Sequence, residues 1–579
     1  MVTRVLGAPT LVPTSNAGSR RSGATGEVAR PLGCRHATTG CDTRQLVSAR
    51  VQVLDFRLSP LDSMLVQQSR EARLGRPLWR EAVIRGVRSV AVALMALSLL
   101  AVPASALAAV KIQRIASPGP EPNPATVLRR LPLDLPFKDG GGRLLRVEGA
   151  DASERVTTQP QVLCPGMRLT AVGITWRQVG PGRVLANVAA GESAPVYRQP
   201  VLLEDDLDRP SPNSSRYDPT RRATELLWVG DARCIKVALH LPAASRISDV
   251  EAVFLNTSGT AAGGQPAGEA LEDLVGPAVA QARPLRPALI TRAQWGADPG
   301  LLNCEPSYAK SLKMAFVHHT AGSNDYGMDE SDDIVRAIYT YHTQVRGYCD
   351  IAYNFLVDKY GQVFVGRKGG PTRPVIPEGH TGFNRGSTMI SAIGNYQNVR
   401  PPWVMLRAIK YTLAWRLDAA HIPPKGTVTM TSEGGPGTRY ERGTVVELRT
   451  ISGHRDTGYT ACPGRYLYRR LDAIRRAVHN IGRPKIFYPR QSTREFTAGK
   501  GSVTWRARAS DEITWDVRVF DSAGDVRRSW TRFGLRLELS WRGLSDTEDA
   551  VPPGEYRVHI AGRLDSEPAT GVWFRVRVT

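Results

Sequence analysis

Between Ala288 and Ile481 the apolar pattern of this chain switches repeatedly between period two and the three-and-four spacing of a helix, while the stretches on either side keep to short strand-like runs. That switch constrains the fold more than any other feature. It predicts an α/β domain, a mixed sheet flanked by helices, set between two all-β sandwich-like domains. At 579 residues the chain is too long for one core, and roughly 150 residues per domain gives three or four units.

Within 288–481, KMAFVHH reads as a strand and SDDIVRAIYTYHTQV as a helix that places Ile334, Ile338, Tyr341 and Val345 on one face. DIAYNFLVDKYGQVFVG reads as a hairpin turning at Tyr360-Gly361. WVMLRAIKYTLAWRL sets Leu406, Ile409, Leu413 and Leu417 on one side of a second helix. CPGRYLYRRLDAIRRAV opens a third at Pro463 and buries Leu467, Leu471, Ile474 and Val478. Residues 111–257 carry the runs LTAVGITW, VLANVA, TELLWVG, CIKVALHL and VEAVFLN. Residues 490–579 carry SVTWRARA, ITWDVRVFD, LRLELSW, GEYRVHIAG and VWFRVRV. Both read as β, and the Ala, Gly and Pro of 258–287 read as a linker.

Arginines at 73, 76, 80, 85 and 88, an apolar run from Val90 to Val102 and the small residues of PASALAAV have the layout of a secretory signal peptide, spanning 64–108 and cleaved near Ala109. The alternative is an uncleaved membrane anchor, since 90–109 could just span a bilayer. Residues 1–63, rich in Arg, Gly, Ser and Thr, read as a disordered leader or as the product of a misplaced start, with translation beginning at Met64. Formal net charge is +22. Residues 1–109 hold 14 Arg, no Lys and six acids, so 62 basic and 48 acidic residues remain beyond them, a net +14. A basic exported chain is suited to anionic wall polymers or membrane surfaces, and export argues against nucleic acid as partner. No membrane span remains after signal cleavage.

Five cysteines follow the export segment: Cys164, Cys234, Cys304, Cys349 and Cys462. An odd count in an oxidising compartment leaves one thiol over. Cys164 with Cys234 and Cys304 with Cys349 lie within single segments, and two such local disulfides leave Cys462 outside any disulfide. Cys462 is then available as a metal ligand. His318 in MAFVHHTAG, with His454 and Cys462 in GHRDTGYTACPG, are the residue types that Zn²⁺ prefers, and three protein ligands suit a catalytic rather than a structural ion. Side chains alternate along MAFVHH, so His318 and His319 face opposite ways and only one can join such a site. The strand pattern does not say which.

VHHTAG, YHTQVRGYCDIAYNFLVDKYGQVFVGR, GHTGFN with SAIGNY, and SGHRDTGYTACPG follow one another over 288–481 in the order and spacing of the peptidoglycan recognition protein and type 2 N-acetylmuramoyl-L-alanine amidase family, and the chain resembles its actinobacterial members. The resemblance implies that His318, His454 and Cys462 hold one Zn²⁺. It implies catalytic roles for Tyr353, in the motif resembling DIGYNF, and for Thr460, two residues before the ligand cysteine. His342 and His380, with Asn384 and Arg385 in the loop of the latter, would line the peptide groove. Zinc lowers the pKa of bound water towards about 7 and so supplies a nucleophile at neutral pH. Hydroxyl donors such as Tyr353 and Thr460 then stabilise charge developing on the amide oxygen. The bond implied joins the lactyl group of N-acetylmuramic acid to L-alanine.

Each residue also has a plainer reading. A strand histidine is most often hydrogen-bonded core, Tyr353 shares a strand face with Ile351, Phe355 and Val357, Thr460 serves as a turn residue, and His342 sits on an apolar helix. Val365 and Ala352 stand where family members commonly have Glu and Gly, which bears on groove shape rather than on the metal. TMTSEGGPGTRYERGTVVE reads as an inserted mobile loop near the site. The N-terminal runs, including GITW, the acidic LEDDLDRP and ATELLWVG, look like the domain that precedes the amidase in exported homologues. WDVRVFDSAGDVRRSW and VPPGEYRVHI resemble the immunoglobulin-like fold of flagellar-hook-capping proteins, which leaves function open. The expected function is secreted, zinc-dependent hydrolysis of peptidoglycan at the cell wall. The rival readings are a recognition protein that binds without cutting, whose members usually lack the ligand cysteine, and a wall-anchoring protein with a vestigial amidase domain.

Overall fold

The structure, a computed structural model, describes residues 126–133, 155–179, 182–192, 198, 201–204, 207–209, 213–216, 218–242, 246–258 and 286–579. The expected leader (1–63), the expected export segment (64–108) and 259–285 of the expected linker lie outside them. Among the described residues no helix is long and apolar enough to cross a membrane.

Among the described residues, two five-stranded sheets make up the N-terminal region. One runs Val127–Pro132, Arg246–Asn256, Leu169–Val179, Arg221–Ala223, with Leu227–Ala232 also on Leu169–Val179. The other runs Arg155–Thr157, Cys234–Pro242, Leu185–Gly191, Val201–Glu204, with Gln161–Leu163 also on Cys234–Pro242. Alternation along Leu169–Val179 explains the layering. Val172, Ile174 and Trp176 point at Ile235, Val237 and Leu239 of the second sheet, whereas Ala171 packs with Val253, Leu255 and Trp228 against the next domain. Cys164 and Cys234 are disulfide-bonded.

The central domain contains strands β1 (Met314–His319), β2 (Phe355–Val357), β3 (Val363–Val365), β4 (Ser387–Ala392), β5 (Thr427–Thr431), β6 (Val445–Arg449) and β7 (Ile451–Gly453). Its helices are α1 (Ser331–Thr340), α2 (Trp403–Ala419) and α3 (Leu471–Asn480). The main sheet is mixed, in the order β3-β2-β4-β1-β7, parallel except for the β2–β3 hairpin. One face buries Ala315, Val317, Phe355 and Ile390 under Ile409 and Leu413 of α2 and Ile474 and Val478 of α3. The other buries Met314, Phe316, Leu356 and Met389 under α1 and the first N-terminal sheet. Such a sheet, covered on both sides, needs the near-continuous apolar strands that MAFVHH and NFLV supply.

Three local features depart from the periodic reading. The first helical stretch passes at Tyr341 into a wider turn, Tyr341–Val345, in which Arg346 N–H donates to Tyr341 O at 2.9 Å, five residues back. That turn aims Tyr341 at the N-terminal sheet, where its hydroxyl donates to Thr224 O at 2.9 Å. The third stretch splits into one turn, Arg465–Tyr468, and α3, so that Leu467 and Leu471 share a core. The stretch read as a mobile loop forms the β5–β6 hairpin, and its tip is hydrogen-bonded: Arg439 N–H donates to Thr457 O at 2.7 Å and Tyr459 N–H to Gly437 O at 2.8 Å.

The N-terminal sheet meets the wide turn at Gly173, where an added Cβ would overlap the Tyr341 ring. Gly173→Ala is therefore expected to destabilise the protein by about 1–3 kcal/mol, as overpacking does. A lowered thermal midpoint checks this. Cys304 and Cys349 form a second disulfide, 45 residues apart. Replacing both by serine is expected to cost about 2–4 kcal/mol, read as a lower denaturant midpoint.

In the C-terminal region SVTWRARA and ITWDVRVFD join into one strand, Val503–Phe520, whose register shifts between Arg508 and Ile513. It pairs along its length with Val526–Trp541 and also with Ile486–Gln491 and Gly554–Leu564. Seven strands thus form one hydrogen-bonded sheet where a two-sheet sandwich was expected. The irregularity lets a long strand bend, and the sheet turns its apolar face, including Trp505, Trp515, Trp541, Val558 and Val576, onto one core.

Candidate metal centre

β1 and β7 lie side by side in parallel, Val317 opposite Gly453, so the next residue of each, His318 and His454, emerge together at the carboxyl end of the sheet. The segment after His454 folds back: Arg455 N–H donates to Cys462 O at 2.9 Å, which brings the Cys462 sulfur to 3.7 Å from His318 Nδ1. One ligand atom from each of His318, His454 and Cys462 lies within 4.8 Å of the others, and all three residues are buried. Cys462 is not in a disulfide.

The layers decide between the paired histidines. His318 continues the face of Met314 and Phe316 and reaches Cys462 and His454. His319 continues the face of Ala315 and Val317, and its Nδ1 accepts Tyr396 N–H at 3.1 Å. His319 serves the site through its backbone, whose N–H donates to the Cys462 sulfur at 3.3 Å. Burial, with Arg455 and His454 nearby, lowers the His319 pKa to about 3. Burial also holds His318 and His380 well below the usual histidine range, with His454 adding to the effect in both.

The donor set fits a zinc ion. His318 Nδ1 faces the Cys462 sulfur at 3.7 Å, and His318 Nε2 is buried without a hydrogen-bond partner. A buried imidazole whose polar neighbours are a thiol and other imidazoles requires a reason, and an ion between the three is the chemical one.

Tyr353 packs its ring 5.5 Å from that of His318 and 5.8 Å from that of His342. His342 Nδ1 accepts Ala352 N–H at 3.0 Å, which holds the segment bearing Tyr353 against the wide turn. Thr460 lines the metal-site cavity, and its hydroxyl oxygen accepts Cys462 N–H at 3.1 Å, leaving its proton to donate elsewhere. His380 is 1% exposed; its ring lies 4.3 Å from that of His454, and Nε2 is bonded to the Thr457 hydroxyl. It packs against His454 in the interior. Asn384 Oδ1 accepts His380 N–H at 3.1 Å. Arg385 lies apart, paired with Glu433 at 3.1 Å on a cavity of about 530 Å³ that Lys310, Lys313 and Arg442 also line.

Residues 308–465 match the N-acetylmuramoyl-L-alanine amidase family. Over 184 residues the chain is 30% identical to peptidoglycan recognition protein 1 of Rattus norvegicus, an alignment spanning 31% of this chain and 83% of that protein. The chain belongs to the amidase and peptidoglycan recognition protein family. It is also 28% identical over 183 residues to peptidoglycan-recognition protein SC2 of Drosophila melanogaster, covering 32% of this chain and 84% of that one. Among solved structures, peptidoglycan recognition protein-LE in complex with tracheal cytotoxin is similar at 26% identity, over 32% of this chain and 93% of that one, with a TM-score of 0.26.

In this amidase-family domain the cavity above His318, His454 and Cys462 is also lined by residues that sequence reasoning did not single out. Arg183, Leu207, Asp208 and Glu225 come from the N-terminal region, and Gly437 and Tyr459 from the central one. The acidic run LEDDLDRP was visible as a charge cluster. Nothing local in it shows that Asp208 folds onto another domain.

Proposed function

We propose that this chain is a zinc-dependent N-acetylmuramoyl-L-alanine amidase that hydrolyses the lactyl–L-alanine amide of peptidoglycan. The convergence of His318, His454 and Cys462 within 4.8 Å, beside the Tyr353 ring, is the observation that carries this reading. When bound, a zinc ion supplies Lewis acidity and lowers the pKa of a water molecule. Tyr353 and Thr460 donate to the amide oxygen as charge develops on it, while the His319 N–H steadies the Cys462 thiolate. His342 keeps Tyr353 in position through Ala352.

His380 and Asn384 hold the loop beside His454, and Arg385, on the separate cavity it shares with Glu433, is assigned a contact with the stem peptide or a neighbouring strand of wall polymer. Export through 64–108 and a net +14 beyond residue 109 suit a substrate in the anionic wall. The reading is tested by digesting purified peptidoglycan with the protein and identifying products by mass spectrometry. Zinc-dependent release of peptides beginning in L-alanine supports the amidase. Binding without release makes the chain a recognition protein.

A further inference from the structure

The cavity over the metal ligands measures about 30 Å³, room for one or two waters, and the reason is the chain itself. The segment Leu207–Arg209 of the N-terminal region lies in the cleft. Asp208 Oδ1 accepts from Thr381 N–H at 2.9 Å and from the Thr381 hydroxyl at 3.0 Å, and Oδ2 sits 3.5 Å from His454 Nε2. Arg346 Nη2 donates to Asp208 O at 2.8 Å, and Arg209 N–H donates to the Thr381 hydroxyl oxygen at 3.2 Å. Leu207 O approaches Gly437 so closely that a Cβ there would come within 3.1 Å. Arg183 Nη2 donates to Tyr459 O on the rim.

A carboxylate that is 6% exposed is costly unless its charge is hydrogen-bonded or paired, and Thr381 and His454, both of the central domain, are among the partners Asp208 meets. A metal ion beside His454 would answer it more strongly still, aspartate being a zinc ligand type in its own right. A muramyl peptide cannot reach the ligands while these residues are in place. We propose that Leu207–Arg209 is a self-docking strap with Asp208 as its latch on the metal site, so that the chain folds in a latent state and strap and muramyl peptide compete for one cleft. This rests on the amidase-family reading of that cleft. Competition lowers the apparent affinity for peptide by the fraction of molecules with the strap lifted.

The test compares the full chain with Asp208→Asn and, separately, Arg346→Met, which loosens the strap from outside the metal site. Two quantities are read: the affinity of the zinc-loaded protein for muramyl pentapeptide by calorimetry, and the rate at which iodoacetamide alkylates Cys462 in metal-free protein. Loss of a hydrogen bond to a charged group predicts that Asp208→Asn raises both about 10- to 100-fold, with a smaller rise for Arg346→Met and thermal midpoints near that of the parent. Unchanged affinity and alkylation in both variants overturn the strap. So does weaker zinc binding in Asp208→Asn with Arg346→Met unaltered, because Asp208 is then a metal-site residue that gates nothing. Gains in affinity and alkylation without peptide release from any variant would refute the amidase and leave the strap standing.

Discussion

Cys462→Ala is expected to abolish zinc retention and to cut peptide release by at least about 10³-fold, since Lewis-acid stabilisation is worth several kcal/mol and each tenfold is about 1.4 kcal/mol. The substitution leaves both disulfides intact, so the fold should survive it. Dialysis against a chelator should reproduce the loss, and returning zinc should restore the parent but not the variant. Metal analysis alongside the digestion checks each part. Full activity and one bound zinc in Cys462→Ala would place the ion elsewhere and remove the convergence of His318, His454 and Cys462 as an argument.

Tyr353→Phe is expected to slow release by about 10²- to 10³-fold, the usual cost of one donor aimed at developing negative charge, while zinc content stays at that of the parent. The ring is kept, so its packing beside His318 and His342 is kept too. A drop in kcat with KM little altered is the signature of a donor used in the transition state. An unaltered rate would return Tyr353 to the plainer reading, a core residue in line with Ile351 and Phe355.

Legibility differed from element to element for physical reasons. The helix over SDDIVRAIYT was readable because a buried face repeats every three to four residues, and Ile334 and Ile338 do face the core. The wide turn after Tyr341 was not, because it depends on the contact of that ring with Gly173, a residue of another domain. The joined strand Val503–Phe520 was hidden for a similar reason: the polar residues around Asp511 look like a turn, and only pairing with Val526–Trp541 on both sides of the shift makes them part of a strand. At the site, Thr460 illustrates the same limit. Its hydroxyl oxygen accepts Cys462 N–H, as the turn reading expects, and the residue also lines the cavity, which its local sequence does not show.

The first strand, the hairpin after it and the helical stretches of 288–481, the surplus cysteine and the presence of two imidazoles and a thiol of the kind zinc prefers were determined by sequence alone, because each follows from local periodicity, parity or side-chain chemistry, whereas the strands Ser387–Ala392, Thr427–Thr431, Val445–Arg449 and Ile451–Gly453 were not read from it. Which of His318 and His319 faces His454 and Cys462 was decided by tertiary structure. Alternation makes the two opposite but does not say which face of β1 the α2–α3 layer will cover. The placement of Asp208 against His454 was decided there too. A contact between residues so far apart in the chain leaves no mark on either local sequence, since it is the docking of one sheet on α1 that carries the acidic loop into the cleft.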